Sequence, residues 1–176
     1  MYVKSEYKAG SYNVIRIERE DGVFFDIIPD LGAMVYRISL KDRKGIPVDI
    51  LRFDKAEELS DNPLFRGRLL FPFNDRIPEG RFHYKGCDYQ LPINEKSDGS
   101  AIHGLLYNRE FEVRDLNLSE NEASITLGYT IKKGDWYFYP FSLDFSVTYR
   151  LSEKGFSVDF TFVNQGEIAM LPSMRI

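Results

Sequence analysis

Along most of this chain apolar and polar side chains alternate with a period of two, the pattern of strands that bury one face. The clearest case is the last hairpin. Phe141, Leu143, Phe145, Val147, Tyr149 and Leu151 alternate with Ser142, Asp144, Ser146, Thr148 and Arg150. Ser152–Gly155 turns the chain, and Phe156, Val158, Phe160 and Phe162 alternate back. At ~1.5–3 kcal/mol per fully buried side chain, an upper estimate, this shared face demands a covering layer. The same period over Ile125, Leu127, Tyr129 and Ile131 predicts a strand at Ser124–Ile131, paired with Phe111–Leu116. Asp21-Gly22 predicts a tight turn between strands Tyr12–Ile17 and Val23–Ile28. Pro29-Asp30 breaks the run. Val35–Leu40 follows, with Val35, Arg37 and Ser39 on one face and Tyr36, Ile38 and Leu40 on the other, and then a short strand at Val48–Leu51. Arg81–Tyr84 and Cys87–Leu91 form a further hairpin about Lys85-Gly86. Asp54–Asn62 is the only helix-like piece; it spans barely two turns and reads as a solvated surface turn.

No repeat, low-complexity tract or linker interrupts this series, so residues 1–176 are expected to form a single all-β domain, an antiparallel β-sandwich or a related architecture. Composition agrees: 14 Phe and 11 Tyr favour strands. The net charge of −4, with no Lys/Arg cluster longer than a pair, argues against a nucleic-acid partner. No apolar run reaches membrane-spanning length, and the first ten residues contain no secretory apolar segment. Cys87 is the single cysteine, which excludes an intramolecular disulfide. A soluble cytoplasmic protein is the expectation.

Metal and phosphate chemistry find little footing. Two His and one Cys do not make a zinc set, and no calcium loop, phosphate-binding glycine loop, dinucleotide fingerprint or serine-nucleophile motif is present. What remains is polar recognition of a neutral, hydroxyl-rich ligand. Arg76 offers a fixed fork of donors, and His103 donates or accepts near neutral pH. Gly104 removes side-chain bulk, letting a ligand approach the backbone. Each has a plainer alternative. Arg76 reads equally as a surface arginine paired with Asp75 or Glu79, His103 as a solvated loop residue, His83 as solvent-facing, and Asn94 as a loop cap. The run Trp136–Tyr139 suits a core-entry strand better than a sugar-stacking surface.

Residues 71–104 carry a more specific pattern: Phe71-Pro72-Phe73, Arg76-Ile77, Gly80-Arg81-Phe82, Gly86, Tyr89-Gln90-Leu91, Asn94 and His103-Gly104. Together with Tyr139-Pro140, the last hairpin, Asn164, Gly166 and Pro172, this resembles the aldose 1-epimerase (galactose mutarotase-like) family. The resemblance implies a supersandwich β-fold, a hexose ligand and no cofactor. It implies that Arg76 positions the sugar and that His103 is the first catalytic histidine, holding and polarising it. Asp75 stands where the family usually has Asn, and is the third expected contact. Family enzymes open the ring by acid–base catalysis, and the resemblance implies an acid His shortly after the Pro172 segment and a base Glu near the C-terminus. This sequence stops at Ile176 and no Glu in it is assignable as base. The chain is therefore expected to be the N-terminal part of such a domain, truncated, with impaired anomer interconversion and a poorly covered last hairpin that self-associates. Three other readings stay open. One is a hexose-6-phosphate 1-epimerase, with Arg66 and Arg68 as phosphate cations. The second is a non-catalytic carbohydrate-binding β-sandwich, and the third is a structural domain.

Overall fold

The structure, a computed structural model, describes residues 1–59, 62–167, 170 and 173. A five-stranded antiparallel meander comes first: β1 (Tyr2–Ala9), β2 (Tyr12–Arg19), β3 (Phe24–Ile28), β4 (Met34–Lys41) and β5 (Pro47–Leu51), each paired with the next. Two small ribbons follow. β6 (Arg76–Ile77) pairs with β9 (Ala101–Ile102), and β7 (Arg81–Tyr84) with β8 (Cys87–Gln90). A second antiparallel sheet closes the fold, with β10 (Glu112–Leu118), β11 (Glu122–Ile131), β12 (Leu143–Ser152) and β13 (Gly155–Asn164) in sequence order. The expected hairpins are present, and Lys85 and Gly86 both take positive φ, as a type I′ turn requires.

The main core lies between the two large sheets. Ile15, Ile17, Phe25 and Ile27 of the first meet Ile125, Leu127, Phe145, Val147 and Tyr149 of the second. The Phe25 ring centroid is 5.1 Å from that of Phe156. Tyr149 is fully buried, and its hydroxyl donates to the Ala33 carbonyl at 2.6 Å, which satisfies a polar group that burial would otherwise penalise. A second, smaller core covers the outer face of the first sheet, with Val14, Ile28, Met34, Tyr36, Phe53 and Leu59. On that face Asp26 is buried, yet it accepts from Arg16 at 2.8 and 2.9 Å and from the Tyr7 hydroxyl at 2.6 Å. Such pairing is what makes a buried carboxylate tolerable.

The structure corrects the sequence reading at four places. β1 carries no clear apolar period, because it is an edge strand with only Tyr2 and Ala9 buried. The single alternation expected for Val35–Leu40 breaks. Val35, Ile38 and Leu40 all face the main core, while Tyr36 faces the outer one. A register shift in the pairing of β4 with β3 accounts for this: Asp26 and Ile27 pair with Arg37 and Val35, so Tyr36 is an extra residue and the two faces exchange there. The Asp54–Asn62 piece contains a 3-10 turn at Ala56–Leu59, and Leu59 is fully buried, so the piece is a cover for the outer face as well as a surface turn. Finally, the apolar face of the last hairpin is unevenly covered. Its β12 side chains are buried, whereas on β13 Phe156, Val158 and Phe160 are half-buried and Phe162 is exposed. Among the described residues, no helix is long and apolar enough to cross a membrane.

Candidate functional site

The residues singled out at 74–76 and 94–104 meet on the β6–β9 ribbon. Arg76 stands opposite Ile102 and Ile77 opposite Ala101. His103 therefore follows directly after Arg76's partner. It adopts φ +65, a left-handed conformation that His tolerates better than most residues but that still costs conformational energy. Two contacts hold its ring. Nδ1 lies 3.1 Å from the Asn74 carbonyl, and the Phe65 ring meets it edge-on at 4.4 Å between centroids. A carbonyl only accepts, so Nδ1 carries the proton there, and the neutral ring keeps a lone pair on Nε2.

Asn94 does more than cap a loop. Its Oδ1 accepts the Ile102 N–H at 2.7 Å, and its Nδ2 donates to the Ile102 carbonyl at 2.8 Å and to the Tyr107 hydroxyl at 3.1 Å. One side-chain amide thus stands in for a neighbouring strand along β9, fixing the residue from which the positions of Arg76 and His103 are both set.

The Arg76 guanidinium is half-exposed, and its Nε donates to Asp98 Oδ2 at 2.8 Å. Asp98 Oδ1 accepts the Ser100 N–H at 3.1 Å. Neither carboxylate considered from the sequence is the partner. Asp75 accepts the backbone N–H of Arg76 at 2.7 Å, and Glu79 pairs with Arg81 at 3.1 Å. Asp98 sits in a Ser-Asp-Gly-Ser loop whose sequence signals only a turn, so nothing local revealed its role. The nearby Glu95 carboxyl is held below its ordinary range, first by the Ser97 hydroxyl and N–H; Asp98 opposes that lowering and Arg76 adds to it.

Gly104 has a different role from the one its size suggested. At φ +81 a Cβ on it would lie 2.2 Å from the Phe71 carbonyl oxygen, so the close approach of two backbones by itself requires glycine there. Beside the ribbon lies an apolar cavity of about 540 Å³, lined by Phe73, Ile77, Phe82, Tyr84, Tyr139 and Phe141 among others. Ile77 faces it; Arg76, the adjacent residue, does not line it, and neither does His103. Trp136, Phe138 and Tyr139 pack against the main core, and Tyr137 alone of that run is fully outside.

The two cations considered for a phosphate are both committed elsewhere. Arg66 pairs with Glu58 at 3.0 Å and stacks on Phe53. Arg68 is buried, donates to the Leu59 and Tyr107 carbonyls, and has its pKa lowered by that burial. His83 is exposed on β7, with Nδ1 2.7 Å from Asp88. Pro172, and the stretch after it to which the resemblance assigns the acid, lie outside the described residues except Ser173. Among the described residues, no group of three or more His, Cys, Asp or Glu is placed to hold a metal ion.

The two packed antiparallel sheets, with an Arg–His ribbon between them in sequence, define a mutarotase-like β-sandwich. Residues 14–173 match the aldose 1-epimerase family model, and the chain belongs to that family. Among curated proteins, YihR of Escherichia coli (strain K12) is 39% identical over 104 residues, 58% of this chain and 32% of that protein. Galactose mutarotase of Rattus norvegicus is 32% identical over 87 residues, 49% of this chain and 25% of the relative. Among solved structures, a galactose mutarotase-like protein from Clostridium acetobutylicum superposes with a TM-score of 0.77 at 27% identity, covering 93% of this chain and 49% of that one. Galactose 1-epimerase from Lactobacillus acidophilus shares the fold, with a TM-score of 0.69 at 19% identity over 93% of this chain and 48% of that chain. The chain thus spans about half the length of these solved relatives, and less of the curated ones.

Proposed function

We propose that this chain binds a hexose at the Arg76–His103 ribbon and takes part in aldose 1-epimerase chemistry, the interconversion of α and β anomers through ring opening. The observation that carries the reading is the pairing of Arg76 with Ile102, which sets the backbones of Arg76 and His103 one residue apart in register. The Nη groups of Arg76 point donors at sugar oxygens, and Nε2 of His103 accepts from a hydroxyl when neutral or donates when protonated. Asp75, whose Oδ1 accepts the Arg76 N–H, adds an acceptor for a hydroxyl. An unphosphorylated sugar is favoured over a hexose 6-phosphate, because Arg66 is paired with Glu58 and Arg76 with Asp98.

The family resemblance gives the ring-opening acid and base to a His after the Pro172 segment and to a distant Glu. Residues 1–176 act here as the sugar-holding part of a single domain, the N-terminal part of the family's fold. Each acid or base of such a pair contributes roughly 10²–10⁴-fold in rate. The setting proposed is cytoplasmic, in keeping with the single Cys87. The exposed Phe162 and Val163 on β13, a strand with one unpaired edge among the described residues, are proposed as a surface of self-association.

Calorimetric titration with glucose, run beside polarimetry of freshly dissolved α-glucose, tests the site. Binding that weakens on both Arg76→Ala and His103→Ala is the expected result, with optical drift only slightly faster than in buffer. Tight binding with no acceleration at all would favour the non-catalytic module. Glucose binding that is absent, or indifferent to both substitutions, would end the proposal and leave the ribbon a purely structural hairpin.

A further inference from the structure

Resting on the hexose-site reading above, we propose that Asp98 is a specificity residue, one that commits the Arg76 guanidinium to neutral sugars and turns away anionic ones. The geometry is direct. Asp98 Oδ2 takes the Nε donor of Arg76 at 2.8 Å, and its other oxygen is tied to the Ser100 N–H. The carboxylate is thereby fixed against one edge of the guanidinium. The edge of an arginine that includes Nε is one of the two on which a guanidinium forks onto an oxyanion with two parallel N–H donors. With Nε taken and the fixed Asp98 carboxylate offsetting the charge of the guanidinium, what remain to a ligand are the Nη donors. These suit hydroxyl and ring oxygens, which need a donor but bring no charge.

The surrounding charge acts in the same direction. Asp75 flanks Arg76 in sequence and is bonded to its N–H, and Glu95 is close enough for its carboxyl to feel both Arg76 and Asp98. A phosphate or carboxylate at this position would face Asp98 before it reached a free cation. Exposure of the pair to solvent screens the repulsion, so the expected discrimination is moderate.

The test compares binding of glucose and glucose 6-phosphate by the full chain and by two variants. Asp98→Asn keeps an oxygen for the Ser100 N–H but removes the charge and frees the guanidinium edge. Glu95→Gln removes a nearby charge without touching Arg76. Glucose is expected to bind the unmodified chain more tightly than glucose 6-phosphate. In Asp98→Asn the ratio of the two dissociation constants should move toward the phosphate by roughly three- to tenfold. In Glu95→Gln it should stay within about twofold, the effect of a more distant screened charge. A ratio unchanged in Asp98→Asn, or moved equally by both variants, overturns the assignment of Asp98 while leaving the sugar site intact. No glucose binding by the unmodified chain overturns the site and this inference together. A thermal melt on each variant checks that it is folded. If Asp98→Asn is not, Asp98→Ser replaces it under the same criteria.

Discussion

Replacing Gly104 by Ala separates two costs that are usually confounded at glycines. The first is conformational: at φ +81 a side chain enters the left-handed region, worth ~1–2 kcal/mol. The second is steric. The new Cβ would sit 2.2 Å from the Phe71 oxygen, 2.5 Å from its carbonyl carbon and 2.7 Å from its nitrogen, where ordinary contact begins at 3.4 Å. All three atoms are backbone, so no side chain swings aside to relieve the clash, and overpacking of this kind costs a further ~1–3 kcal/mol. Gly86 supplies the control. Its φ is +79, but a Cβ there meets nothing within 4 Å, so Gly86→Ala carries the conformational cost alone. Urea denaturation of both variants should place Gly104→Ala below Gly86→Ala by ~1–3 kcal/mol, a large share of a total of roughly 5–15 kcal/mol. Because His103 precedes Gly104, that variant should also weaken glucose binding, while Gly86→Ala should not. Equal midpoints for the two alanine variants would refute the backbone-contact account, whatever their distance from the unmodified chain.

Two further outcomes are open to measurement. Asp144 accepts from Arg114 at 2.7 Å through both oxygens and from the Thr130 hydroxyl at 2.6 Å, which lowers its pKa below the usual carboxylate value. A folded-state pKa below the unfolded one stabilises fully above about pH 4, and the gain is lost as pH falls through the depressed value. Asp144→Asn should therefore flatten the acid limb of a plot of urea midpoint against pH; parallel curves for the two proteins would contradict it. For β13, light scattering should show a mass above that of one chain, falling toward it when Phe162→Lys blunts the edge, whereas a stable monomer at all concentrations would remove self-association from consideration.

Most of the large-sheet architecture was legible in the sequence because alternation and turn chemistry are local. The Asp21-Gly22 turn, the Lys85-Gly86 turn and the strict period of Phe141–Leu151 each state their structure within a few residues. β1 was not legible, since an edge strand that buries only Tyr2 and Ala9 leaves no period to find. The exchange of faces along β4 was hidden because it comes from irregular pairing with β3, which no single strand encodes. The candidate site divides along the same line. Arg76 and His103 stood out through the family pattern, and the hexose they were assigned remains to be measured. Asp98 bonds Arg76 at a sequence separation of 22, and Asn94 holds their neighbour Ile102 at a separation of 8, through loops whose own sequences announce only turns. Gly104 was noticed for its lack of bulk, but its contact with Phe71 cannot be read from one end.

The side-chain amide of Asn94 leaves a last consequence for how the molecule would wear out. A close-packed apolar interior holds the two large sheets together, whereas the short ribbon rests on a two-residue pairing and on one asparagine gripping both peptide groups of Ile102. A fastening that small opens at lower free energy than the sandwich. Warming would then undo the proposed hexose site while the spectrum of the sheets still looked intact.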